Sequence, residues 1–254
     1  MKRLFACIFL MSLVGLSGCL ETHETSLPAR NESMRIVSGG DEYPAYLAAP
    51  ASDVSLPAVV LIHSFRGLEP GYKTMIDMLA SEGFVVMAPE WQNFSRTPGD
   101  DVVGQLISDS VAYLKSRKDV DNSSIGLTGF CAGGRYTMLF LPHMKDFKSG
   151  VAWYGFPYSR GFSNQSQPAE FVDQLSAPML IIHGTHDQAS NISDIYRYAI
   201  ALNDSGKYFE MKVYQGQPHG FMIEDGQLSQ SLPAKDAFQE MVSFFKRTLH
   251  QSEW

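Results

Sequence analysis

Three side chains that can act together in nucleophilic catalysis occur along the chain in the order cysteine, aspartate, histidine. Cys131 lies in the segment Gly-Phe-Cys-Ala-Gly-Gly, Asp187 ends the segment His-Gly-Thr-His-Asp, and His219 lies in Gln-Gly-Gln-Pro-His-Gly-Phe. A thiolate can attack a carbonyl carbon, an imidazole can take and return the proton, and a carboxylate can hold the imidazole in one tautomer. The three residues together predict an acyl-transfer site with Cys131 as its nucleophile.

Each of these residues alone also fits a simpler role. A lone cysteine is often a core residue, a loop histidine is usually a surface residue, and an aspartate after a strand commonly caps a turn. The joint pattern, with each residue following a predicted strand, favours the catalytic interpretation. His63, His183 and His186 fall on the same loops, but their spacing matches no pair of metal ligands, so we predict no metal site.

The segment around Cys131 predicts a short buried strand, a tight turn and the start of a helix. The run Ile-Gly-Leu-Thr at 125–128 suits a parallel strand that is covered on both faces. The turn resembles the nucleophile elbow G-x-S-x-G, with cysteine in place of serine. The positive end of the following helix favours a thiolate at this position. Glycine-rich turns of this kind also bind nucleotides, and this stretch alone leaves that alternative open.

Strand and helix patterns alternate along the rest of the chain. Apolar runs bounded by proline or glycine predict strands at 57–63, 84–88, 150–154, 178–184 and 208–214, with a weaker edge strand at 42–49. Amphipathic patterns predict helices at 72–82, 101–117, 190–202 and 234–249. This alternation predicts a mostly parallel sheet with helices on both faces, in which the carboxyl ends of the strands form one rim.

Backbone N–H groups on that rim would complete an acyl-transfer site. A tetrahedral intermediate needs hydrogen-bond donors for its oxyanion, and the residue after an elbow nucleophile normally supplies one of them. We therefore expect the N–H groups of Ala132 and Phe65 to form the oxyanion hole.

The first 19 residues predict an export signal. Lys2 and Arg3 precede an apolar core at 4–14, which is too short to span a membrane as a stable helix. The sequence Leu-Ser-Gly-Cys then resembles the lipobox of bacterial lipoprotein signal peptides, which implies a lipid on Cys19, a membrane anchor and a location outside the cytoplasm. An ordinary secretory signal is the alternative.

Three segments follow from this interpretation: a signal peptide at 1–18, a lipidated N-terminus and polar tether at 19–34, and a single domain at 35–254. Of the three cysteines, Cys7 lies in the signal core and Cys19 at the lipobox, which leaves Cys131 without a disulfide partner. The formal net charge is −7 and no run of Lys and Arg stands out, so nucleic acid is not expected as a partner.

The sequence resembles the dienelactone hydrolase family over about residues 36–250. The resemblance depends on Gly-Phe-Cys-Ala-Gly-Gly around Cys131, on His-Gly with Asp187, and on His-Gly-Phe at His219. It implies the α/β-hydrolase fold and the hydrolysis of enol-lactones and related esters by a Cys-His-Asp triad, without a cofactor. The order of the three residues is that of α/β-hydrolases.

Two positions depart from the family pattern. The family usually carries a glutamate that contacts the resting thiol, and here Ser64 stands at that position. Arg96 matches the first of two arginines that bind a substrate carboxylate, whereas the second would fall near the apolar Ile223. A less acidic ester or lactone is therefore expected as substrate, with Arg96 and Ser64 as the candidate substrate-binding residues.

Two hypotheses follow. The first is an exported, lipid-anchored hydrolase of small esters or lactones, which we expect to be a monomer. The second is a non-catalytic ligand-binding lipoprotein on the same scaffold, because a fold alone does not confer function. A redox role for Cys131 lacks a resolving cysteine in the mature chain. A thiol-reactive active-site probe separates the first two hypotheses.

Overall fold

The structure is a computed structural model that describes residues 28–162 and 165–250. The predicted signal peptide, the predicted lipidation site Cys19 and residues 19–27 of the predicted tether lie outside the described residues. Among the helices that are described, none combines the length and apolar character needed to cross a membrane.

Eight strands form the main sheet. They are β1 (Ala29–Ser38), β2 (Asp41–Pro50), β3 (Leu56–Ile62), β4 (Val85–Pro89), β5 (Val120–Phe130), β6 (Phe147–Trp153), β7 (Met179–Gly184) and β8 (Phe209–Tyr214). Their order in the sheet is β1-β2-β4-β3-β5-β6-β7-β8. The β1–β2 and β2–β4 pairs are antiparallel, and all other pairs are parallel. A short hairpin, β9 (Ile223–Glu224) and β10 (Gln227–Leu228), stands apart.

Five α-helices cover the sheet. They are α1 (Pro70–Ser81), α2 (Asp100–Ser116), α3 (Ala132–Phe140), α4 (Ile192–Asp204) and α5 (Leu232–His250), and a 3₁₀ helix spans Pro168–Gln174. Helices α1 and α5 contribute to the core on one face, and α2, α3 and α4 to the core on the other. The predicted α/β-hydrolase fold, a mostly parallel sheet with helices on both faces, is confirmed.

The central strand β3 shows why its sequence is apolar without alternation. Ala58, Val60 and Ile62 belong to one core, and Val59 and Leu61 belong to the other. All five side chains are fully buried. Because both faces of the strand are covered, each residue contacts apolar neighbours whichever way its side chain points.

The N-terminal end of the sheet differs from the prediction. The predicted tether ended at residue 34, but β1 already begins at Ala29 and pairs with β2 over its whole length. Most side chains in the first half of β1 are exposed, so that half carries no hydrophobic alternation and backbone pairing holds it in place, whereas Ile36 in the second half belongs to the core. The predicted edge strand therefore lies second in the sheet, between β1 and β4.

Candidate active site

Cys131 lies on a strained turn between β5 and α3. Its φ and ψ are 59° and −113°, a conformation that residues other than glycine rarely adopt. The carbonyl oxygen of Trp153 accepts the Cys131 N–H at 3.1 Å and fixes the turn to β6. Such strain is kept only where the surroundings enforce it, and here it holds the thiol at the carboxyl end of the sheet.

The glycines of this segment are required by close backbone approach. A Cβ on Gly129 would lie 2.1 Å from the carbonyl oxygen of Gly133, and a Cβ on Gly133 would lie 2.0 Å from that of Ile62. Strand β5, the turn and the first turn of α3 can therefore pack this closely only with glycine at both positions. These two close approaches explain why glycines occur at these positions around Cys131.

Asp187 and His219 form a well-defined hydrogen bond. His219 Nδ1 donates to Asp187 Oδ2 at 2.8 Å. The other carboxylate oxygen, Oδ1, accepts the N–H groups of Ala189 at 2.9 Å and Ser190 at 2.7 Å. The carboxylate is almost fully buried and is held in one orientation, so it fixes the proton of the imidazole on Nδ1.

The other imidazole nitrogen of His219 faces Cys131. Burial lowers the pKa of His219, but the hydrogen bond to Asp187 and the interactions with Cys131 raise it to about 9. The imidazole is therefore protonated at neutral pH, and a positive charge beside a thiol favours its thiolate. The rings of Tyr154 and Phe156 lie 5.1 Å and 5.4 Å from the imidazole and restrict its movement.

Asp187 remains charged despite its burial. Burial alone raises the pKa of Asp187, but the hydrogen bonds from His219 and the Ser190 N–H, together with the positive charge of His219, lower it overall. His183, which sequence reasoning placed on the rim without a role, donates from Nε2 to the Ser190 carbonyl oxygen at 2.9 Å. Its Nε2 also lies 3.5 Å from Asp187 Oδ2, and burial lowers the pKa of His183. His183 thus supports the Asp187 loop as a neutral residue.

The remaining rim histidines lie apart from this constellation. His63 is buried, stacks on Trp91 and donates from Nδ1 to the Ser64 carbonyl oxygen at 2.8 Å. Burial lowers the pKa of His63 to about 4, so the residue is neutral. His186 is exposed. Within residues 28–162 and 165–250, no cluster of three or more His, Cys, Asp or Glu side chains could hold a metal ion.

The two residues predicted to form the oxyanion hole lie beside Cys131. Phe65 and Ala132 line the same cavity as Cys131. Ala132 is the first residue of α3, where N–H groups have no acceptor within the helix. The Phe65 N–H makes no hydrogen bond to any described residue. Both N–H groups are therefore unpaired beside the sulfur.

The cavity beside Cys131 has a volume of about 290 Å³. Its lining is largely aromatic and consists of Phe65, Cys131, Ala132, Arg135, Tyr136, Phe156, Ser159, Gly161 and Phe162. A larger groove of about 690 Å³ lies at the opposite ends of the strands, between β1 and the loop after β2, and no cysteine or histidine is among its described lining residues. The small cavity is the one that adjoins the reactive groups.

The arginines near the cavity differ in their environment. Arg96 is exposed, and its guanidinium lies 4.6 Å from the ring centroid of Phe65, at the margin of the cavity. Arg135, which sequence reasoning missed, is buried and forms two hydrogen bonds of 2.8 Å with the carboxylate of Asp100. It also donates to the carbonyl oxygens of Ser159 and Ser166 and so holds the loop at 155–167. In the sequence, only the position of Arg135 one helical turn after Cys131 indicates a role near the site.

Ser64 lies in a group of uncharged hydroxyls. It is buried, its Oγ accepts the Arg66 N–H at 3.1 Å, and it does not line the cavity. Tyr72 on α1, also missed from the sequence, is buried and interacts with Ser64, Cys131 and Tyr154. The hydroxyls of Tyr72 and Tyr154, near the position at which the family carries a glutamate, therefore bear no charge.

Comparison with known proteins places these features in one family. The model of the dienelactone hydrolase family matches residues 43–93 and 91–249. A protein of Escherichia coli K12 named "Putative carboxymethylenebutenolidase" is 30% identical over 232 residues, which cover 84% of this chain and 85% of that protein. "Protein usf" of Aquifex pyrophilus is 28% identical over 213 residues, 76% of this chain and 89% of that protein.

Solved structures agree with this result. The crystal structure of a "Putative Dienelactone Hydrolase" from Klebsiella pneumoniae has a TM-score of 0.78 at 25% identity and covers 86% of this chain and 99% of its own. Esterase 2 of Thermogutta terrifontis shares the fold, with a TM-score of 0.72 at 18% identity over 88% of this chain and 96% of its own. The chain belongs to the dienelactone hydrolase family.

Proposed function

We propose that the chain hydrolyses small esters or lactones through a catalytic triad of Cys131, His219 and Asp187. Membership of the family makes the chain a hydrolase. The observation that carries the proposal is the 2.8 Å hydrogen bond between Asp187 and His219, whose second nitrogen faces a thiol on a strained turn.

Acylation would begin from the thiolate and the protonated imidazole. Cys131 Sγ attacks the carbonyl carbon of the ester, and the carbonyl oxygen becomes an oxyanion beside the Phe65 and Ala132 N–H groups. His219 then gives its Nε2 proton to the leaving alkoxide oxygen as the carbon–oxygen bond breaks. The products are a free alcohol, or the ring-opened chain of a lactone, and a thioester on Cys131.

Deacylation would use the same groups in reverse. The neutral His219 takes a proton from a water molecule, and the resulting hydroxide attacks the thioester carbon. The carbon–sulfur bond breaks, the carboxylic acid leaves, and Cys131 returns as a thiolate opposite a protonated imidazole. Throughout both steps Asp187 keeps the other proton of the imidazole on Nδ1.

A trapped thioester tests this chemistry against the non-catalytic alternative. Mass spectrometry after rapid mixing with 4-nitrophenyl acetate should show an acetyl group on Cys131 together with a burst of nitrophenol. A protein that only binds ligands releases at most one equivalent of nitrophenol, because a reactive thiol can be acetylated once without turnover, whereas the proposed enzyme continues to release nitrophenol after the burst. The family comparisons do not favour that alternative, and an acetyl group found on any other residue would contradict the assignment of the nucleophile.

The resting state of the nucleophile gives a second test. The thiolate fraction of an unperturbed thiol, whose pKa is about 8.5, falls about 50-fold between pH 8.5 and 6.5. Because the pKa of His219 is about 9, its imidazole keeps a positive charge at neutral pH and stabilises the thiolate of Cys131. We therefore expect the rate of inactivation by iodoacetamide to fall less than about tenfold between pH 8.5 and 6.5. The measurement is the inactivation rate constant as a function of pH.

Substitution of Ser64 should alter that profile. Ser64→Glu places a carboxylate near Tyr72 and Cys131, and a negative charge opposes a thiolate, so the steep fall should return. Ser64→Gln has similar size without the charge and is the matched control. A full fall of about 50-fold in the wild type would mean that His219 does not stabilise a resting thiolate. If the Glu and Gln variants behave alike, Ser64 does not face the thiol.

We further propose that the protein is exported and anchored by lipid at Cys19. The support is the Leu-Ser-Gly-Cys sequence after an apolar signal core. Mass spectrometry of the membrane-extracted protein should show a mature chain that begins at a diacylated Cys19, and Cys19→Ala should release the protein from the membrane fraction. An unmodified N-terminus that begins at another residue would contradict the proposal.

A further inference from the structure

We propose that the cavity beside Cys131 binds the acyl part of the substrate, and that this acyl group is uncharged and largely apolar. The inference rests on the proposed ester hydrolysis. The class of acyl group follows from the residues that line the cavity and not from the reactive groups.

The position of the cavity assigns it to the acyl side of the scissile bond. Its lining includes Cys131 and both candidate oxyanion donors, whereas His219 is absent from the lining formed by the described residues. The leaving oxygen must lie close to His219 in order to receive its proton. The leaving group therefore extends toward the imidazole and away from the cavity, and the acyl group that remains on Cys131 occupies the cavity.

The charges around the cavity exclude an acid as the favoured acyl group. Arg135 is the one charged side chain among the described residues that line the cavity, and Asp100 compensates its charge through two hydrogen bonds of 2.8 Å. Arg96 stands outside the cavity, exposed above the ring of Phe65. A substrate carboxylate within the cavity would be desolvated among aromatic rings without a free cation, which is strongly unfavourable.

The walls of the cavity offer an acyl group mainly apolar surface. Phe65, Phe156 and Phe162 contribute three aromatic rings to the lining. Tyr136 also borders the cavity, but its hydroxyl is fully buried and out of reach of a group in the cavity. An acyl group without polar atoms therefore loses the least hydration when it enters.

The volume sets the size of the acyl group. A water molecule occupies roughly 30 Å³ in the liquid. A cavity of about 290 Å³ therefore holds on the order of ten non-hydrogen atoms. This is at the small end of ligand sites, which suits a short alkyl or a single-ring acyl group.

A series of 4-nitrophenyl esters with one leaving group tests the proposal. The acyl groups are acetate, butyrate, hexanoate, the hexanoate analogue 4-methoxybutanoate, and adipate as its half ester with a free carboxylate. We expect kcat/KM to rise about fourfold for each buried methylene. The adipate half ester should fall at least tenfold below hexanoate because its carboxylate would be buried unpaired.

Comparing esters and cavity variants tests the cavity walls separately from the reactive groups. The methoxybutanoate-to-hexanoate ratio of kcat/KM should lie well below one in the wild type, because the apolar walls desolvate the ether oxygen. Phe162→Ala removes part of the apolar wall and should lower the hexanoate-to-acetate ratio several-fold. Phe94→Ala is the matched control, since this exposed phenylalanine packs on Tyr43 outside the cavity, and both ratios should stay unchanged.

The outcomes distinguish the two proposals. Turnover of acetate without a rise toward hexanoate, or a preference for the adipate half ester, would overturn the cavity proposal and leave the proposed hydrolysis intact. A methoxybutanoate-to-hexanoate ratio at or above one would overturn the apolar character assigned to the acyl group. No turnover of any ester, with no acyl group on Cys131, would overturn both proposals.

Discussion

Cys131→Ala should lower kcat/KM for 4-nitrophenyl acetate by about 10⁴-fold or more, without unfolding the protein. The variant keeps the cavity, the unpaired N–H groups and His219, but it has no atom that can form the acyl intermediate. Alanine keeps the Cβ, so the backbone at φ 59° experiences the same surroundings as in the wild type. Steady-state kinetics gives the loss, and circular dichroism with thermal melting verifies the fold.

Cys131→Gly provides the control for strain at this turn. It should be as inactive as the alanine variant, because both lack the sulfur. Glycine adopts φ 59° and ψ −113° without steric conflict, so the glycine variant should be more stable than the alanine variant by about 1 kcal/mol. Near-normal turnover by either variant would exclude Cys131 as the nucleophile. A glycine variant that is less stable than the alanine variant would contradict the strain.

The central strands and the rim residues could be predicted because buried structure leaves a clear pattern. Strands such as β3 are buried on both faces, and an uninterrupted apolar run bounded by proline is hard to explain otherwise. Parallel strands also place the residues that follow them on one side of the sheet. For this reason the sequence could predict that Cys131, Asp187 and His219 approach one another before any distance was known.

Other features depend on contacts that leave no local pattern. Strand β1 is held by backbone pairing at the edge of the sheet, so its polar side chains resemble those of a linker. The Arg135–Asp100 ion pair joins α2 and α3. The two residues lie 35 positions apart in the sequence, and no local pattern around either residue predicts the pairing. The walls of the cavity come partly from the loop that carries Phe156 and Phe162, whose irregular composition predicted only a loop.

Asp187→Asn should reduce kcat by about 10⁴-fold, and the reason lies in the other oxygen of the carboxylate. Oδ1 accepts two backbone N–H groups, from Ala189 and Ser190. An asparagine must present its carbonyl oxygen to these donors, because its NH₂ group cannot accept them. The NH₂ group then faces His219 Nδ1 in place of the oxygen that now accepts from it.

The imidazole must respond to that exchange. Nδ1 has to accept a hydrogen bond, so the proton of the neutral ring moves to Nε2, which faces Cys131 and can no longer take a proton there. Loss of the carboxylate also lowers the pKa of His219 from about 9, so inactivation by iodoacetamide at neutral pH should slow too, by at most about 30-fold, because an unperturbed thiol keeps about 3% thiolate at pH 7. Asp194→Asn, which changes a surface aspartate paired with Arg197, is the matched control and should retain both rates. Asp187→Asn with a kcat within tenfold of the wild type and an unchanged melting temperature would show that Asp187 does not orient the imidazole during catalysis.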